Sequence, residues 1–108
     1  MGVRPGGSVR GSDSGRPIMA ALDLLGRRWT LRILWELRQG PLGARALRER
    51  CDRMSSSVLY ARLAELLDTR LIEQDDADRY TLTEHGRTLG QAIDPLDSWA
   101  HEWARSLE

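Results

Sequence analysis

The sequence predicts a mainly α-helical domain carrying one small β-hairpin. Three observations carry that expectation. Apolar residues recur at helical spacing from position 17 to 67, the period shortens to that of strands around an aspartate-rich turn over 71–82, and helical signals resume at Thr83. At 108 residues, 41% of them hydrophobic, the chain is long enough for one core and too short for two.

The first helix is expected to begin at Pro17, a residue suited to an opening turn, and to place Ile18, Met19, Leu22 and Leu25 at helical spacing before Gly26 stops it. A second helix, over 29–38, puts Trp29, Ile33, Leu34 and Leu37 in one stripe, widened by Leu31 and Trp35, and ends at Gly40 and Pro41. A third, over 44–51, turns Leu47 inward. Asp52, Arg53 and Met54 make a tight connection; Ser55 is then a good N-cap, and Leu59, Leu63, Leu66 and Leu67 give a fourth helix its buried face. Two short helices joined by a few residues have helix-turn-helix geometry. Residues 71–74 and 79–82 read as strands around the polar turn Asp75, Asp76, Ala77 and Asp78. Thr83 caps a fifth helix, expected to break at Asp94 and Pro95, where a sixth opens with Asp97 in its positive first turn. Helices, hairpin and C-terminal helices in that order make a winged helix-turn-helix domain over 17–108, preceded by a Gly- and Ser-rich leader over 1–16 that reads as flexible.

Composition excludes several classes. No apolar run approaches the roughly 20 residues of a membrane span, and the N-terminus has no apolar signal core, so a cytoplasmic protein without membrane contact is expected. One cysteine and two histidines leave neither a disulfide framework nor a metal-ligand set, and no cofactor is expected. No Gly-rich phosphate loop or nucleophile with a base partner is present, and Ser55, Ser56 and Ser57 have none, so an enzyme is not expected. The net charge of zero conceals an asymmetry: residues 26–70 carry +5, residues 71–108 carry −6. A basic middle beside an acidic tail suits a domain that meets phosphates with one face.

The ordered series Leu24, Leu25, Gly26, Arg27, Arg28, Trp29, then Ile33, Leu34, Trp35, Glu36, Leu37 and Gly40, Pro41, Leu42, resembles the HxlR-type (MarR-like) winged helix regulators of bacteria. So do Arg62, Leu63, Glu65 and Leu66, then residues 82–87, and finally Trp99 and Trp103. The resemblance implies a homodimeric transcription factor on a roughly palindromic operator. Three departures stand out. Many members of that family carry a sensing cysteine just before the first helix, where this chain has Arg16; the family's wing is usually longer and more basic; and at the third helix, positions commonly apolar or acidic are Ala44, Ala46 and Arg50.

The expected partners are therefore double-stranded DNA and a second copy of the chain. The reading helix, over about 55–68, should present Ser55, Ser56, Ser57, Tyr60, Ala61 and Ala64, with Tyr60 the most informative side chain. Arg27, Arg28, Arg32, Arg45, Arg48, Arg53 and Arg62 compete as phosphate anchors. Arg53 and Arg62 are preferred, and Arg79 is the wing's only cation. Leu22, Leu96, Trp99, Trp103 and Leu107 form the expected dimer seam, with the C-terminal helices over about 84–107 as its main source; such a seam could also admit a flat hydrophobic effector. Cys51 reads as a buried thiol, with a redox sensor as the alternative. The competing function is a winged-helix protein–protein module, or a small-molecule-responsive binder with weak DNA affinity.

Overall fold

A computed structural model describes residues 16–108, so all of the expected leader except Arg16 lies outside the described residues. The helices are α1 (Pro17–Leu25), α2 (Thr30–Leu37), α3 (Ala44–Arg50) and α4 (Ser56–Asp68). The strands β1 (Ile72–Gln74) and β2 (Tyr80–Leu82) follow, and α5 (Glu84–Ser106) closes the chain.

Leucine spacing builds the core. Ile33, Leu34 and Leu37 of α2, Leu47 of α3, and Leu59, Leu63 and Leu66 of α4 meet Ile72, Tyr80 and Leu82 of the hairpin in one cluster. Leu67, expected with them, is only half-buried on the flank of α4. Ala20 and Leu24 attach α1 to this body through Leu71. The antiparallel strands pair Ile72 with Leu82 and Gln74 with Tyr80, while Leu42 bridges to the other edge of β2 with N–H···O distances of 2.8 and 3.0 Å.

Two of the connections with left-handed residues bear on the reading unit. Trp29 is not in a helix. It stands at φ 77° as the residue before α2, a left-handed conformation uncommon for a bulky side chain, with the Arg28 guanidinium 5.6 Å from its ring centre. Between α3 and α4, Asp52 and Arg53 are consecutive left-handed residues at φ 58° and 57°. The Arg53 N–H donates to Arg48 O, and the Arg48 side chain donates to Met54 O at 2.7 Å, tying the turn shut. Ser55 caps α4, its hydroxyl accepting from the Val58 N–H.

The C-terminus overturns one expectation. No break occurs at Asp94 and Pro95; α5 runs through Pro95 as a single 23-residue helix. Proline removes one N–H, but Gln91 and Pro95 both lie on the exposed side, where water can satisfy the released carbonyl. Asp97 is accordingly interior to a helix and not in a first turn, its backbone carbonyl 2.9 Å from His101 Nδ1.

Candidate nucleic-acid interface

The α3–turn–α4 unit is the helix-turn-helix, and the core residues of α4 leave the opposite side to solvent. Ser56, Ser57, Tyr60, Ala61 and Ala64 are all exposed, Tyr60 to 55%. Ser55 and Ser57 are not equally available: their hydroxyls lie 2.9 Å apart, and Ser55 also serves as the cap. This surface consists of small side chains around one phenol.

The arginines divide sharply. Arg32 is spent on the protein itself, donating to Glu36 at 2.9 Å and to Arg50 O at 2.6 Å, so that it pins the end of α3. Arg48 closes the turn, as above. Arg27 donates to Glu65 at 2.6 Å and to Asp23 at 3.2 Å. Arg62, a preferred phosphate anchor from sequence, is four-fifths buried and donates to Arg28 O at 3.0 Å and Glu65 at 2.6 Å. Of the seven candidate anchors, three remain outward. Arg45 is exposed on the first turn of α3 with no hydrogen bond or ion pair among the described residues. Arg53 keeps 77% side-chain exposure and only a 3.3 Å contact to Glu49, and Arg28 lies exposed over Trp29. Arg50 pairs with Glu36 of α2 at 3.8 Å.

The wing is short and acidic. Asp75 accepts from the Ala77 and Arg79 N–H groups at 2.9 Å each and from the Arg79 side chain at 3.0 Å. The Arg79 backbone donor, chief among these, holds the Asp75 carboxyl below its ordinary range. Arg79 is therefore neutralised where it stands, while Asp76 and Asp78 remain exposed at the tip.

Along α1 and α5 and just beyond, Leu22, Leu96, Trp99, Trp103 and Leu107 are all more than half exposed, joined by Ile18. Trp99 and Trp103 stack on each other, ring centres 5.5 Å apart and planes within 11°. A separate cavity of about 520 Å³ lies between α1, the end of α4 and the start of α5, lined by Ala20, Leu24, Thr69, Leu71, His85 and Leu89 among others. None of the five seam residues lines it. Cys51 is fully buried, and burial raises its thiol pKa against the lowering pull of Arg32. No described helix is long and apolar enough to cross a membrane.

The family model for HxlR-like helix-turn-helix proteins matches residues 24–108, which takes in every element from the α1–α2 turn onward. The chain belongs to the HxlR-like helix-turn-helix family. It is a transcriptional regulator of the HxlR/MarR type with a winged-helix fold, and its relatives are regulators, not enzymes. The HTH-type transcriptional regulator YodB of Bacillus subtilis is 30% identical over 90 residues, covering 78% of this chain and 80% of the relative. The crystal structure of quinone-bound YodB superposes with a TM-score of 0.73 at 33% identity, covering 80% of this chain and 97% of that one. A protein described as a possible HxlR family transcriptional factor from Thermoplasma volcanium gives 0.72 at 28% identity, covering 82% and 85%. The sequence motifs quoted above thus placed this HxlR-like chain correctly. What they could not indicate was that Glu65 joins Arg62, three positions away, to Arg27, 38 positions away.

Proposed function

We propose that this HxlR-like regulator acts in the cytoplasm as a homodimer on a palindromic DNA operator, each protomer inserting α4 into the major groove. The observation that carries this reading is the solvent face of α4, small and polar apart from Tyr60, flanked by the outward Arg45 and Arg53. Small residues let a helix approach base edges closely, and arginines beside it neutralise phosphates. Ser56, Ser57, Tyr60 and Ala61 are assigned to the groove; Arg45, Arg53 and Arg28 to the backbone. Ser55 keeps its place as the cap, Arg62 acts within the protein, and Arg79 contributes little.

The exposed Trp99–Trp103 stack, continuous with Leu96 and Leu107 along α5 and joined by Leu22 of α1, supports a dimer seam over about 84–107. A solitary domain gains nothing from leaving two stacked indoles in water. A second reading adds an effector: the apolar cavity beside α1 has the size of a small-molecule site, and YodB has been solved with a quinone bound. The test is selection of bound duplexes from a random pool, with molar mass measured in parallel. The expected product is a palindrome with half-sites about 10 base pairs apart, bound by a dimer. Salt-independent or absent duplex binding refutes the DNA reading, and a monomer at micromolar concentration refutes the seam.

A further inference from the structure

Arg62 and Arg27 were both candidates for phosphate contacts, and both are turned inward onto one carboxylate. Glu65 accepts from Arg27 through Oε2 and from Arg62 through Oε1, each at 2.6 Å, and the three side chains are about three-quarters buried. Asp23 of α1 accepts from Arg27 on its other side at 3.2 Å and is itself 8% exposed. Arg62 closes the ring by donating Nε to the Arg28 carbonyl in the α1–α2 turn. One connected network therefore joins α1, the α1–α2 turn and the middle of α4.

On α4, Arg62, Glu65 and Thr69 share the flank between the buried leucines and the exposed face, so the network holds the helix from its side. The N-terminal end of α4 is held separately, by the closed turn at Met54. Two fixed points set both the position and the roll of the helix. Its exposed residues make that setting consequential. Serine and alanine are too short to compensate for a displaced or rotated helix, whereas long side chains could reach across the error.

We propose that Glu65 is the positioning residue that registers the reading helix against α1, and through α1, whose exposed Leu22 adjoins Asp23, registers the two reading helices of the dimer to each other. The inference rests on the DNA reading given above. It makes the network's arginines determinants of selectivity without phosphate contact of their own.

The experiment compares the full chain with Glu65→Gln, Arg62→Gln and the double variant. Each is titrated by fluorescence anisotropy against the selected duplex and a scrambled duplex across a salt series. Glutamine keeps the shape of Glu65 while removing the charge that two guanidiniums share. Glu65→Gln is expected to weaken the selected duplex about tenfold and leave the scrambled duplex unchanged or slightly tighter. Arg62→Gln should lower selectivity similarly yet leave the scrambled-duplex salt slope unaltered, where a phosphate anchor in each protomer would reduce it by about 1.8 for the dimer. The double variant should be no worse than either single one.

A salt slope that falls with Arg62→Gln, or full selectivity in Glu65→Gln, overturns the proposal. Hydrogen exchange of the free proteins separates its failure from failure of the DNA reading. Should the parent bind no duplex, the DNA reading fails and the tie of α4 to α1 through Glu65 stands by itself only if Glu65→Gln speeds exchange at both residues 26–29 and α4 while α3 and the hairpin keep their protection. Unchanged exchange there overturns it, and uniform acceleration everywhere assigns Glu65 a structural role alone.

Discussion

Reversing the charge at Asp76 tests how little the wing contributes. Residues 73–79 carry four carboxylates (Glu73, Asp75, Asp76 and Asp78) against Arg79, and Asp75 already engages that guanidinium at 3.0 Å. Asp76→Arg leaves the turn intact, because the hydrogen bonds at the tip belong to Asp75 and to backbone groups. A two-unit charge change about 10 Å from a phosphate in water, screened at physiological salt, amounts to about 0.2 kcal/mol, less than twofold in affinity. A direct contact does more. One new phosphate contact per protomer steepens the salt slope by about 0.9, hence by about 1.8 for a dimer, so the gain between 0.2 and 0.05 M salt grows about twelvefold over the parent's. The assay is anisotropy on a scrambled duplex over that salt range. An unchanged slope with less than twofold tighter binding means the tip does not reach the backbone even when cationic. Weaker binding at low salt refutes the electrostatic reasoning itself.

Three further expectations concern the domain. At Gly86 an added Cβ would collide with the Leu71 carbonyl oxygen and press on Leu82 at 3.2 Å, so Gly86→Ala should cost about 1–3 kcal/mol; a melting temperature equal to the parent's contradicts this. Cys51, fully buried with its pKa raised, should react with a disulfide reagent at neutral pH at least about a hundredfold more slowly in the folded than in the denatured chain, and prompt stoichiometric labelling of the folded protein would restore the sensor reading. The Thr30 hydroxyl is buried without a partner among the described residues, so Thr30→Val should raise stability by about 1 kcal/mol, measured by thermal unfolding, and a lowered melting temperature argues against an unsatisfied hydroxyl.

Local signals were legible and long-range ones were not. Ser55 as a cap, Leu59, Leu63 and Leu66 as a buried stripe, and the aspartate turn of the hairpin all follow from residues within a few positions of one another, which sequence spacing displays directly. Arginine duties depended instead on partners 38 positions away for Arg27 and Glu65, and 34 for Arg62 and Arg28. No periodicity encodes such pairings, so Arg62 is preferred from sequence as a phosphate anchor for its place beside the reading helix, and only the fold shows it turned inward. The left-handed Trp29 was likewise hidden, because a tryptophan carries no turn signal that spacing could display.

Pro95 was misleading for a reason that bears on the seam. Had the helix broken there, Leu96, Trp99, Trp103 and Leu107 would belong to a separate segment able to swing relative to the winged helix. In the continuous α5, those residues extend the same rigid rod whose beginning is fastened to the domain, with Leu89 against the core and Thr83 capping its first turn while bonded to Arg70 O. Arg70 stands just past Thr69, the residue that ends α4, at φ 62°, so the end of the reading helix and the root of α5 meet at one junction. A dimer built on the tryptophan stack would therefore fix the separation of the two α4 helices through a short, stiff path. The Glu65 network approaches α4 from the α1 side, and the Arg70–Thr83 junction approaches it from the α5 side. Both elements that carry the expected seam residues are thus tied to the reading helix, which is the arrangement a regulator needs if what happens at the seam is to be felt at the DNA.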